Sequence, residues 1–274
     1  MHLKLLRLTA VALTGASLLA GCTAGERPAA GFKQAAPAWA ANWGANTWKR
    51  AASPGFLAGF KDDQDFNDPS VPITRDIFTP QALERYTELR EKLGKGEAVF
   101  APQALCHPPG IPAQVASIEN VFRVMFAPDR IVMLFNNALT YRTIYTDGRS
   151  LPDHPEPTYM GHSVGHWEGD TLVVQTNGLR SDQTQLEPGL AHSDDLRVTE
   201  RWRPLPDERI EVKLTYQDPQ VFKQPVDVVV RYVKTTEDQL REAFCIDNNR
   251  YVVGPGGVLM LTGPDGKPLP KAED

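Results

Sequence analysis

The chain runs to 274 residues, with 29 basic side chains against 34 acidic ones and a formal charge of −5. That balance leaves no basic stripe, the electrostatic footprint of a nucleic-acid partner, so none is expected. The length suits one large domain or two small ones.

Lys4 and Arg7 precede an uncharged, mostly apolar run from Leu8 to Leu18, closed by Leu19-Ala20-Gly21-Cys22. A basic start, a short apolar stretch and small residues at a cleavage point make residues 1–21 a secretory signal. The run falls short of the roughly 20 apolar residues that a membrane span needs. The residues before Cys22 resemble the lipobox of bacterial lipoproteins. The resemblance implies that Cys22 carries palmitate-type acyl chains, becomes the mature N-terminus and holds the protein to a membrane. Thr23 is not the Asp of an inner-membrane retention signal, so the expected address is the outer membrane, facing the periplasm. Each buried CH₂ contributes about 0.8 kcal/mol, and two or more chains anchor firmly.

Residues 22–58 are rich in Ala, Gly and Pro and read as a tether, with Trp39, Trp43 and Trp48 scattered through it. A segment from 59 to 117 follows. Asp63, Asp65 and Asn67 have the spacing of a calcium loop, but Asp68 stands where that loop needs Gly and Thr74 where it needs Glu. A solvated loop is the better reading. One helix is expected over 79–93: Thr79 caps it, Pro80 suits its first position and Gly94 ends it. Leu83, Tyr86, Leu89 and Leu93 give it one apolar face. With Cys22 assigned to lipid, Cys106 and Cys245 remain as a pair in an oxidising compartment, most simply a disulfide. Closing so long a loop contributes on the order of 4 kcal/mol.

From 118 to 253 the periodicity changes to two. Strand-like runs recur at 121–126, 130–135, 139–146, 159–167, 171–176, 196–203, 209–217, 226–234 and 240–245, separated by turns such as Asp147-Gly148, Gly169-Asp170 and Pro206-Asp207. The expected fold is mainly β: an antiparallel meander closing into a lipocalin-like β-barrel, which leaves no exposed edge. A β-sandwich is the alternative. Residues 254–274 read as a tail.

Gly161-His162-Ser163-Val164-Gly165 matches the serine-hydrolase pattern G-x-S-x-G, which depends on a sharp strand-to-helix turn. Here a hairpin with a Gly169-Asp170 turn follows instead. Glycines that let another backbone approach explain the motif better. His162 and His166 share a strand face but stand roughly 13 Å apart. A zinc site would need a bulge at Gly165 and a further ligand such as His154 or His192, so no metal is expected. Glu200 shares parity with Leu196, Val198 and Trp202 and therefore points inward, where it needs an Arg such as Arg123 or Arg142, or a functional reason. Arg142 and Arg149 flank a tight turn. The polar loop 177–191, ending at His192, is long enough to act as a lid over a barrel mouth.

Taken together, Ile144-Tyr145-Thr146-Asp147-Gly148-Arg149, the run from Gly161 to Val174, His192-Ser193-Asp194 and Glu200-Arg201 resemble the pattern of a family of secreted bacterial proteins, over roughly residues 79–250. The resemblance implies secretion and brings no activity with it. The expected function is therefore read from the residues: a membrane-tethered periplasmic barrel that holds a small, largely apolar molecule, without cofactor. Its polar lining would be His162, His166, Arg142, His192 and Glu200. One alternative is a lyase, isomerase or hydrolase with His162 or Glu200 as general acid or base and Arg142 stabilising an anion. Another is a structural envelope lipoprotein.

Overall fold

The computed structural model describes residues 36–51, 75–95, 102–116, 121–136, 140–187, 190–236, 240, 244–245, 249–254, 259–267 and 269. Cys22 and the 61–68 loop lie outside them. Nine strands close a barrel: β1 (Thr47–Arg50), β2 (Val121–Ala127), β3 (Arg130–Phe135), β4 (Tyr141–Tyr145), β5 (His162–Glu168), β6 (Thr171–Asn177), β9 (Arg197–Leu205), β10 (Arg209–Gln217) and β11 (Val226–Thr235). Between them lies the short hairpin β7 (Gln185–Glu187) with β8 (Leu190–Ala191), and after them β12 (Tyr251–Val253) with β13 (Leu259–Leu261).

The barrel strands alternate as their sequences predict. Val198, Glu200 and Trp202 of β9 face inward beside Ile210, Val212, Leu214 and Tyr216 of β10 and Val226, Val228, Val230 and Tyr232 of β11, all buried. Antiparallel pairing holds around the wall with one exception. β4 and β5 run parallel and share only two pairs, Ile144↔Ser163 and Tyr145↔Val164. The expected uninterrupted antiparallel meander therefore breaks here: the chain from 146 to 161 crosses back before β5 begins, so both strands point the same way.

Two expectations about the strands are corrected together. Residues 240, 244 and 245, the described part of the anticipated ninth strand, belong to no strand. β1 takes that place, bridging β11 through Trp48↔Lys234 and β2 through Trp48↔Phe122. Residues 38–50 of the anticipated tether are thus part of the barrel domain, because Trp43 and Trp48 are core residues and the half-buried Trp39 packs against them. Helix α1 (Ala38–Ala45) lies across one barrel end. Trp43 stacks on Trp202 with ring centroids 5.3 Å apart and Trp39 stacks on Trp43 at 5.5 Å. Trp48 Nε1 donates to the Trp43 carbonyl at 2.9 Å. Part of the anticipated tail, likewise, forms β13.

Helix α2 (Pro80–Gly94) lies where expected: Thr79 Oγ1 accepts from the Ala82 amide at 3.3 Å, Tyr86 is buried, and Leu83 and Leu89 pack on the core. The other barrel end is covered by the one-turn helix α3 (Ala113–Ala116), whose Val115 carbonyl accepts a hydrogen bond from the Tyr232 hydroxyl. Burial pushes the Tyr232 phenol far up, so it stays a donor. The anticipated lid, 177–191, is a packed element: it forms β7 and β8 and puts Leu179, Leu186 and Leu190 into the core. Cys106 and Cys245 form a disulfide, with Cα atoms 5.4 Å apart across 139 residues of chain.

Candidate functional site

Two polar arrangements stand out, one inside the barrel and one on its wall. Inside, Arg142 of β4 and Glu200 of β9 form a doubly hydrogen-bonded pair: Nη1 donates to Oε2 at 3.0 Å and Nη2 to Oε1 at 2.6 Å. Both side chains are essentially inaccessible, at 1% and 0% exposure. Arg142 also donates from Nε to Ser163 Oγ at 3.1 Å and from Nη2 to Thr176 Oγ1 at 2.7 Å, and Trp202 Nε1 donates to Glu200 Oε2 at 3.0 Å. The Ser163 and Thr176 hydroxyls lie 3.0 Å apart. Each charge is thus both paired and hydrogen-bonded, the condition under which buried ions persist. Of the partners considered for Glu200, Arg142 is the one; Arg123 instead donates to Thr47 Oγ1 at 2.7 Å.

Aromatic side chains fill the space around this cluster. Phe122 meets Tyr232 edge-on at 4.9 Å, and Trp202 lies parallel to Tyr232 at 5.8 Å. Among the described residues, Phe122, Trp202 and Tyr232 are all buried and in mutual contact inside the barrel, where the sequence reading places the ligand.

Open space of ligand size occurs instead at the β4–β5 seam. A cleft of about 460 Å³ is lined by Tyr141, Thr143 and Tyr145 of β4, by the segment from Thr158 to Met160 and by Gly161, His162 and Ser163. Its origin is topological. With only two residue pairs holding β4 to β5, the strands separate on the Tyr141 side. Gly161 lets the chain entering β5 lie close against β6: its φ is +63°, and a Cβ there would lie 2.6 Å from the Asn177 carbonyl oxygen. Gly165 lets the strands touch where they do pair, since a Cβ would lie 2.8 Å from Ile144 Cγ2. Both glycines of the G-x-S-x-G motif are therefore packing glycines, and Ser163 lies within β5, not on a strand-to-helix turn.

The anticipated site residues scatter. His162 is at the cleft, where its Nε2 donates to the Glu156 carbonyl at 2.9 Å. His166 is exposed on the outer wall, 3.2 Å from Glu168 Oε1, so the two histidines serve different partners. Among the described residues no three His, Cys, Asp or Glu side chains gather as a metal site. His192 is buried at a separate, 210 Å³ cleft between α2 and β8. Its Nδ1 donates to the Ser193 carbonyl at 2.9 Å, and Nε2 lies 2.6 Å from Thr184 Oγ1. Burial pushes the His192 imidazole pKa down. Arg142 and Glu200 lie behind the wall, and Arg142 reaches the cleft-lining Ser163 by a hydrogen bond. The tyrosines are what sequence reasoning missed. Tyr141 and Tyr145 alternate with inward Arg142 and Ile144, a parity that marks them as outward aromatics.

No protein-family model matches the chain, and no curated protein does. Among solved structures, it is similar to a point mutant of the fluorescent protein UnaG, with 14% identity and a TM-score of 0.34 over 72% of this chain and 99% of that one. Wild-type UnaG gives 14% identity and a TM-score of 0.30 over 69% of this chain and 96% of that one.

Proposed function

We propose that this chain is an envelope lipoprotein, tethered through Cys22, whose barrel binds a small molecule at the β4–β5 cleft. The observation that carries this reading is the cleft itself. At about 460 Å³ it falls within the range of small-molecule sites, and it combines aromatic walls with a few convergent polar groups. The site moves from the barrel centre to the barrel wall. His162 remains in its lining, while Arg142 and Glu200 support it from behind by fixing Ser163.

The enzyme alternative lacks comparable support. It needs His162 and Glu200 at one reacting atom, whereas Glu200 is committed to Arg142 and Trp202, and His162 to the Glu156 carbonyl. The test is to extract the full chain from membranes in mild detergent and identify by mass spectrometry what leaves it on unfolding. The expected result is a small molecule retained by the wild type and lost from Tyr141→Ala. A chain that carries and binds nothing overturns the reading. Separately, Cys22→Ser is expected to abolish incorporation of a palmitate analogue and to release the protein from the membrane fraction. Unchanged partitioning would refute the tether.

A further inference from the structure

We infer that the molecule taken by the seam cleft is a neutral, hydroxyl-rich ring, a saccharide; this rests on the cleft being a binding site. The charges argue first. Among the described residues that line it there is no carboxylate, Lys or Arg. The guanidinium groups that lie over its tyrosine rings are each held by a carboxylate. Arg149 lies 3.7 Å over the Tyr145 ring and is held by Asp147 at 2.5 Å. Arg130 lies 5.2 Å from the same ring and is held by Asp129 at 2.5 Å. Arg180 lies 5.2 Å over the Tyr159 ring and is held by Asp182 at 2.8 Å. An ionic ligand would enter without a counter-charge, which is unfavourable.

The hydroxyls argue next. Tyr141, Thr143, Tyr145, Thr158 and Tyr159 each bring an O–H to the cleft that bonds to no other described residue. A hydroxyl both donates and accepts, so a row of them matches a ligand made of hydroxyls. A purely apolar or aromatic ligand would cover them unmatched, at about 1–3 kcal/mol for each one fully buried. The rings argue third. Tyr141, Thr143 and Tyr145 alternate on one outward face of β4, so the two rings stand roughly 13 Å apart with a hydroxyl between them. Tyr141 is 66% exposed, and its face is available to the C–H face of a sugar. Tyrosine, apolar in body and polar at its tip, suits a ligand with both characters.

The experiment uses the full chain in detergent and follows binding by saturation-transfer NMR and calorimetry. The probes are cellotetraose, maltotetraose and chitotetraose, with 1-naphthol as a neutral aromatic. At least one oligosaccharide is expected to bind, and Tyr141→Ala to weaken it about tenfold, the effect of losing one good contact. Thr143→Val is expected to weaken it severalfold, with the urea midpoint of both variants unchanged. Binding of 1-naphthol alone, lost in Tyr141→Ala, would overturn the saccharide and leave the cleft as a binding site. Sugar binding indifferent to Tyr141 and Thr143 would also overturn it. If no probe binds and nothing copurifies with the chain, the cleft reading falls as well.

Discussion

The wall made by β9, β10 and β11 and the wall made by β4 and β5 solve the same problem in opposite ways. Pairing between β9 and β10 is continuous from Arg209↔Leu205 to Gln217↔Arg197. The outer face there is a lattice of complementary charges: Glu211 accepts from Arg203 at 2.6 Å and from Arg231 at 3.1 Å, and Lys213 reaches Asp227 at 2.7 Å. The β4–β5 wall has two residue pairs, a parallel register and a cleft lined by tyrosines. Where pairing is regular, the described wall residues alternate between a buried inner face and a charged outer one. Where one pairing is cut short, an opening forms in the wall, and a polar cluster behind it keeps the wall standing. That cluster spans both regions, since Arg142 comes from β4 and Glu200 from β9.

Breaking the cluster is therefore the most severe test. Glu200→Gln leaves the Arg142 guanidinium buried without a counter-ion and is expected to cost about 3–5 kcal/mol. Equilibrium urea unfolding measures this, and an unchanged midpoint would show that the pair does not brace the seam. Arg142→Leu combined with Glu200→Leu is expected to recover much of the loss, because removing both charges removes the uncompensated one. Next in size is Gly165→Ala. The new methyl would press on Ile144 Cγ2 at 2.8 Å, so β4 must shift outward, at about 1–3 kcal/mol. The comparison predicts more than a lower midpoint: probe binding at the cleft changes too. An alanine tolerated with no effect on either would mean that the seam is looser than its packing indicates.

How far the sequence reveals this molecule follows the same division. The regular wall is legible because a period of two is local: Ile210, Val212, Leu214 and Tyr216 declare one face, and the parity of Glu200 places its carboxylate inside. Helix α2 is legible through Thr79 and Pro80. The seam is not legible, because whether β4 and β5 meet parallel or antiparallel depends on where residues 146–161 travel, and no local pattern encodes that. β1 was obscured by its composition. An Ala/Gly/Pro-rich stretch suggests a tether, yet Trp43 and Trp48 are fully buried, and large aromatics in a supposed linker were the available signal. The Cys106–Cys245 disulfide is legible as the pair that remains when the lipobox-like sequence assigns Cys22 to lipid. The cleft is not legible because outward tyrosines on a strand are ordinary until the pairing with the neighbouring strand is known to be cut short.

A smaller effect comes from His192, at the end of the barrel between the two walls. Its folded pKa is lowered below the ordinary 6.5, chiefly by burial, with Asp218 and Asp194 opposing. A base favoured in its neutral form when folded contributes stability that is fully present above pH 6.5 and is lost as the pH falls through its folded value. The Thr184 hydroxyl can donate either to Nε2 or to the Arg180 carbonyl, 2.5 Å away. Protonation therefore reverses one hydrogen bond without breaking the chain of contacts, and the loss is a gradual decline. Urea midpoints measured from pH 7.5 to 5 are expected to fall more steeply for the wild type than for His192→Gln. Parallel profiles would place the acid sensitivity elsewhere.

The smallest expected effect tests the regular wall. Arg203 is 55% exposed along its side chain and shares Glu211, itself only 13% exposed, with Arg231. The Glu211 carboxyl is shielded by the sheet, which alone would raise its pKa, but the two guanidinium donors prevail and hold it below the usual range. Because Arg231 remains when Arg203 is removed, the carboxylate keeps a partner and no charge is stranded. Arg203→Ala should therefore cost less than about 1 kcal/mol, as exposed pairs do, and leave binding at the cleft untouched. A double-mutant cycle of Arg203→Ala with Glu211→Ala isolates the pair. A coupling as large as the one expected across Arg142 and Glu200 would mean that the charged wall, and not the buried cluster, holds the barrel closed.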